Sequence, residues 1–201
     1  MNDTIIDLIR HGQPEGGSIY RGHRIDDPLS DLGWSQMWNA IGDTCPWQQI
    51  ISSPLQRCHA FATQLASQKH IPMLIDDRFK EVGFGSWEGR SRDDIKRTNQ
   101  QEYDDFYRDP IHCRPAGAEP ITDFIQRVTQ AYEDILRQYP GQHCLIVAHA
   151  GVIRALIAHV IQAEPIGLYR IQVNNAGLSR IQHGQNGSML VFHNSTLSKT
   201  T

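Results

Sequence analysis

Apolar residues along the chain fall into short β-branched runs that alternate with longer stretches of helical spacing. Ile5-Ile6-Asp7-Leu8-Ile9 predicts a buried strand, and Cys144-Leu145-Ile146-Val147-Ala148 predicts another. A second strand is expected over 49–52 and a short third one over 72–75. Between them, Ser30 reads as the N-cap of a helix running to about residue 41. Ser53-Pro54 reads as the cap and first-turn proline of a helix reaching residue 69. Ile121, Phe124, Ile125, Val128, Tyr132, Ile135, Leu136 and Tyr139 recur at steps of three and four, the signature of one apolar helix face. A further helix is expected over 152–161, after Gly151. The tail predicts strands near 168–173, 176–182 and 189–193, with Gly184 and Gly187 in the last turn. Residues 76–118 show no sustained period and read as loops with short helices, placed to cover a pocket.

Strands alternating with helices predict an α/β fold, a three-layer sandwich whose largely parallel central sheet is flanked by helices. The whole of 1–201 is expected to form one domain, with 76–118 as its pocket cover. Such sheets bind ligands beyond the carboxyl ends of their strands. Two strands end in a histidine, at Arg10-His11 and at Ala148-His149, so both imidazoles are expected at that edge.

Composition narrows the field without deciding it. The chain is 39% hydrophobic and 20% charged, with a net charge of −3. That balance argues against a nucleic-acid or membrane partner, although a pocket can differ in sign from its surroundings. Cys45, Cys58, Cys113 and Cys144 form no CxxC pair, and free thiols are the expectation. No metal-ligand cluster stands out. Met1-Asn2-Asp3-Thr4 is acidic and leads straight into the first strand, unlike a signal peptide, so a cytoplasmic location is expected.

Four segments carry candidate chemistry. Arg10-His11-Gly12 follows the first strand; Gly12 permits close backbone approach and Arg10 brings a permanent cation. Alone, the tripeptide reads more readily as a strand-to-loop turn with an exposed basic pair. Arg57 falls in the first turn of a helix, where it opposes the helix dipole, so anion binding explains it better than helix stability does. Glu81-Val82-Gly83-Phe84-Gly85-Ser86-Trp87-Glu88-Gly89 places carboxylates among glycines and aromatics. An apolar setting makes a carboxyl group easier to protonate, as a general acid requires, and a structural ion pair is the plainer alternative for Glu81. Glu88 is expected to be solvated. His149-Ala150-Gly151 offers a second cationic donor beside an anion, or else a core histidine satisfied by a carbonyl.

Taken together, Ile9-Arg10-His11-Gly12-Gln13, Ser53-Pro54-Leu55-Gln56-Arg57, the 81–89 segment and Val147-Ala148-His149-Ala150-Gly151-Val152-Ile153-Arg154 resemble the motif set of the histidine phosphatase superfamily, in its order. The resemblance covers nearly the whole chain and implies the phosphoglycerate-mutase-like fold. It implies that His11 accepts the phosphoryl group, that Arg10, Arg57 and His149 form the phosphate pocket, and that Glu81 donates the proton. It also implies substrate-binding roles for Arg21, Gln13 and Ala150, and no cofactor or metal. Gln13 to Gly17, Tyr20-Arg21-Gly22, the 26–34 segment and Asn175 to Ile181 resemble bacterial α-ribazole phosphatases, which act in cobalamin lower-ligand assembly. Gly117-Ala118-Glu119-Pro120 departs from the commoner Gly-Glu-Ser of the superfamily. The implied partner is a small-molecule phosphate ester, and a homodimer stays open. So do a broad-specificity phosphatase, a phosphoglycerate mutase, a protein-phosphohistidine phosphatase and a non-catalytic phosphate-binding module. Arg90, Arg92, Lys96, Arg97, Arg108 and Arg114 read either as a substrate cap or as a solvated basic face.

Overall fold

The computed structural model describes residues 2–197. Six strands form one sheet in the order β3-β2-β4-β1-β5-β6. These are β1 (Thr4–Arg10), β2 (Gln49–Ser52), β3 (Met73–Ile75), β4 (His143–Ala148), β5 (Leu178–Gly184) and β6 (Gly187–Ser195). β1, β4, β2 and β3 run parallel, while β5 is antiparallel to β1 and β6 antiparallel to β5. The fold is the α/β arrangement expected, with a mixed, mostly parallel sheet.

Near-continuous apolar strands follow from coverage of the sheet on both faces. Alternate residues feed opposite cores. Ile6, Leu8, Cys144 and Ile146 pack on one side with α4 (Ile121–Gln138) and α5 (Ala150–Val160). Ile9, Leu145 and Val147 pack on the other with α1 (Asp31–Ile41) and α2 (Gln56–Lys69). Asp7, fully buried within β1, accepts hydrogen bonds from Trp47 Nε1 (2.8 Å), Arg180 Nε (2.8 Å) and Arg180 Nη2 (3.0 Å) and pairs with His143 Nε2 (2.9 Å). Burial opposes its charge, but those partners outweigh burial and hold the carboxyl below its usual range.

Three expectations are corrected. The helix after β2 starts at Gln56, with Leu55 as an extended N-cap that makes no side-chain bond. Asp26 instead accepts from Gln56 N at 2.7 Å, and Ser53 Oγ turns to His149 Nε2 at 2.8 Å. Within 76–118 lies a long helix, α3 (Arg92–Arg108), bent at Asn99. Only Ile95, Tyr103 and Phe106 are buried on it, too sparse an apolar face to show as a period among so many polar residues. Finally, the strand expected near 168–173 is absent; Pro165–Arg170 is a 3₁₀ helix, started by Pro165 and tucked against α5 through Leu168. Short apolar runs do not distinguish the two conformations. α3 packs with Trp87 in an apolar cluster of its own, apart from the two main cores.

Candidate active site

Parallel pairing of β1 with β4 sets Arg10 opposite Ala148, so the residues that follow emerge side by side. His11 N donates to Ala148 O at 3.0 Å, and the His11 and His149 rings lie 5.2 Å apart, edge to face. The turn after β1 is held tightly against α1. A Cβ on Gly12 would stand 2.1 Å from Gly33 O, a distance no side chain tolerates.

His11 is buried, and its Nδ1 lies 2.7 Å from Gly12 O. A carbonyl only accepts, so Nδ1 carries the proton and Nε2 presents its lone pair. Burial first, then the charges of Arg10 and Arg57, hold this imidazole well below the ordinary histidine range, against the opposing pull of the Gly12 carbonyl. His149 is fully buried and held low in the same way, by burial and then by Arg57, His11 and Arg10. It is therefore neutral, not the cation its motif suggested; donation from it would run through a neutral N–H. Behind it Cys58 donates to Ala148 O at 3.3 Å, and burial pushes this thiol up, leaving it protonated.

The two histidines are ringed by arginines. Arg10 Nη1 donates to Val173 O at 2.7 Å; burial lowers its guanidinium to about 10, which leaves it a cation at neutral pH. Arg57 is 1% exposed and reaches back from α2, donating to Ile25 O (2.9 Å) and Gly22 O (2.8 Å). The Nε atoms of both arginines are buried with no partner in the protein. Buried donors without partners are costly, and an anion between them would satisfy both. Arg21 is tied to Asp27 Oδ2 at 2.8 Å, to Gly17 O at 2.9 Å and to Glu15 O. Glu81 Oε1 accepts from Val82 N (2.9 Å) and Oε2 from Gly151 N (3.2 Å), which fixes the carboxylate beside the first turn of α5.

A single cavity of about 260 Å³ gathers Arg10, His11, Arg21, Arg57, Glu81 and Ala150 into its lining. His149 is outside that lining, with its ring against that of His11. Gln13 is not brought there. It is exposed; its N–H donates to Gln36 Oε1 and its carbonyl accepts from Ser30 N, so it serves the cap of α1. Glu88 is not merely solvated, because it accepts from Phe84 N (2.8 Å) and Arg24 N (3.1 Å) and braces two loops.

Sequence reasoning gave no role to Tyr20, Phe84, Tyr107 and Arg154, which also line the cavity, and left Arg92 among a basic group. It also passed over Arg127, which holds the backbone around Glu81. Arg127 donates to Arg78 O, Lys80 O and Glu81 O and pairs bidentately with Glu119, which in turn accepts from Gly83 N. The available signal was an arginine set within the apolar spacing of α4, between Phe124 and Val128.

The family model of the histidine phosphatase superfamily (branch 1) matches residues 6–196. The chain belongs to that superfamily. Among individual relatives of this histidine phosphatase chain, a bifunctional protein of Mycobacterium tuberculosis is 29% identical over 168 residues. That match covers 82% of this chain and 46% of the relative, so the chain spans about half the length of the first curated relatives it matches. The adenosylcobalamin/α-ribazole phosphatase of Escherichia coli K12 is 29% identical over 170 residues, covering 82% of this chain and 83% of that protein. The crystal structure of the α-ribazole phosphatase from Shigella flexneri superposes with a TM-score of 0.82 at 28% identity, covering 98% and 100% of the two chains. Among the described residues, no helix is long and apolar enough to cross a membrane, and no group of three or more His, Cys, Asp or Glu residues is placed to hold a metal ion.

Proposed function

We propose that this chain hydrolyses phosphomonoesters through a phosphohistidine at His11. The observation that carries the reading is a neutral, oriented imidazole in a cavity lined by Arg10, Arg57 and Arg21, with Glu81 in the same lining. The ester's phosphate sits between those guanidinium groups. Each charge contact is worth about 4 kcal/mol at 4 Å and an effective dielectric near 20. His11 Nε2 attacks phosphorus, the P–O ester bond breaks, and its electron pair leaves on the ester oxygen, which takes a proton from Glu81. Negative charge spread over the equatorial oxygens is met by the arginines, while His149 stands against the His11 ring. Water then attacks the phosphohistidine, Glu81 takes back a proton, and the P–N bond breaks to release phosphate and neutral His11. The Ala150 amide, at the start of α5, adds a helix-terminal donor.

For the substrate itself, we propose α-ribazole 5′-phosphate. The support is the similarity to α-ribazole phosphatases over most of the chain. The test is direct. Wild-type protein incubated with a radiolabelled ester and quenched in alkali should retain label, and His11→Ala should retain none and release no phosphate. Turnover by His11→Ala would reject the covalent route. Glu81→Gln should slow alkyl esters far more than activated aryl phosphates, and equal losses would remove Glu81 as the acid. A substrate panel in which sugar phosphates or phosphoglycerates outrun α-ribazole 5′-phosphate would reject the substrate.

A further inference from the structure

Phosphate chemistry uses only part of the cavity's lining. The same lining also holds Tyr20, Phe84, Tyr107 and two further arginines, Arg92 and Arg154. The mechanism assigns none of them work.

These rings are held in place by what stands behind them. Tyr20 and Tyr107 share a hydroxyl–hydroxyl bond of 2.8 Å, joining the loop after β1 to α3. The Tyr20 ring leans on Phe84 and Trp87, with centroids 5.1 and 5.2 Å away. The Tyr107 ring stands perpendicular to Phe106 at 5.1 Å. Yet Tyr107 remains 40% exposed and lines the cavity, so this assembly is accessible to a ligand there. A wall of fixed aromatic faces loses little side-chain freedom when a flat group stacks on it.

Charge narrows the choice of ligand. Arg92 stands beside Tyr107, Tyr103 and Tyr20. Neither it nor Arg154 forms an ion pair with a carboxylate among the described residues; Arg154 Nε is taken up by Ile171 O. Glu81 is the only acid in the lining. A cationic head group would meet net repulsion here. A bare polyol would leave the aromatic faces unmatched. A neutral heteroaromatic ring matches both features, stacking on tyrosine and receiving a guanidinium over its face.

We infer that Tyr107, Tyr20, Phe84 and Arg92 form a stacking shelf for a leaving group that ends in a neutral aromatic heterocycle. The natural ester is then nucleoside-like, its sugar spanning from the phosphate-binding arginines to the shelf. This rests on the phosphatase reading and extends it to the half of the substrate that does not react.

A matched pair of ligands tests it: α-ribazole 5′-phosphate and ribose 5-phosphate, which share the phosphate and the ester carbon and differ in the heterocycle. Binding is read by calorimetry on His11→Ala, so that it does not depend on turnover, and kcat/KM is read separately on the wild type. The ring should tighten Kd by about tenfold to a hundredfold, the range expected for one stacked base. Tyr107→Ala should erase most of that ratio while leaving ribose 5-phosphate binding unchanged. Tyr107→Phe should retain the ratio, which separates stacking from a collapsed α3. Equal Kd values for the two ligands, or a parallel loss for both in Tyr107→Ala, would overturn the shelf. Absent turnover of both esters by wild type, with the Kd ratio intact, would instead sink the phosphatase reading and leave the shelf standing.

Discussion

Gly151→Ala isolates the proton donor from everything around it. Gly151 is the second residue of α5, and a Cβ there would lie 2.2 Å from Glu81 Oε1 and 3.2 Å from its carboxyl carbon. Ordinary contact needs about 3.5 Å, so the carboxylate must withdraw by about 1 Å and weaken its bond to Gly151 N. The obstacle is the end of a side chain, so the backbone need not move. Alanine also suits a helix better than glycine by up to about 1 kcal/mol, which offsets the adjustment required of Phe124. Thermal stability should therefore be unchanged or slightly raised. Misplacement of a catalytic group by about 1 Å costs on the order of a hundredfold in rate. That loss should fall on kcat for an alkyl ester such as ribose 5-phosphate. For p-nitrophenyl phosphate, whose leaving group departs without a proton, kcat should change by less than about threefold. Phosphate release from the two esters, measured on one preparation with its melting curve, decides the matter. Equal losses, or none, would show that Glu81 does not protonate the leaving oxygen from this position.

Other outcomes follow from the same geometry. His11 and His149 are held neutral in the fold, so the unfolded chain takes up protons first once pH falls below about 6.5. Stability should decline from there down to their lowered folded values, by up to about 1.4 kcal/mol per pH unit for each histidine. Urea unfolding at a series of pH values should show His11→Ala with a shallower slope, and a flat profile in the wild type would refute it. Arg127→Met removes the clamp on the Glu81 backbone and should lower kcat for alkyl esters about tenfold with KM little changed; a loss confined to KM would count against positioning. Asp7→Ala leaves the donors of Trp47, His143 and Arg180 unmatched and should cost about 3 kcal/mol in urea unfolding, without loss of turnover in the folded protein.

The parallel sheet was legible because β1 and β4 are short, mostly apolar runs, and the two histidines were legible because each terminates one. Arg57 could be placed from its helix position alone, since a first-turn arginine has no local reason to be there. What the sequence concealed has one cause: those features depend on partners far away in the chain. Ser53 is not the cap because the helix starts only at Gln56, whose amide Asp26 accepts, while the Ser53 hydroxyl accepts from Leu55 N and meets His149, 96 residues on. α3 hid because its three buried residues face a small cluster built with Trp87, and three contacts leave no period to read. The neutrality of His149 follows from burial beside Arg57, which no motif records. Gln13 misled because it adjoins a catalytic motif while its backbone serves α1.

The pairing of β1 with β4 joins residues 138 positions apart, from Ile5 with His143 to Arg10 with Ala148. Half of the reactive centre thus waits for a strand that emerges about two-thirds of this chain's length later. Closing so long a loop is slow, and no amino-terminal fragment can hold a working site before it happens. Recovery of phosphate release during refolding should consequently lag behind the return of helical signal, and coexpressed halves cut between α3 and α4 should be inert until they associate.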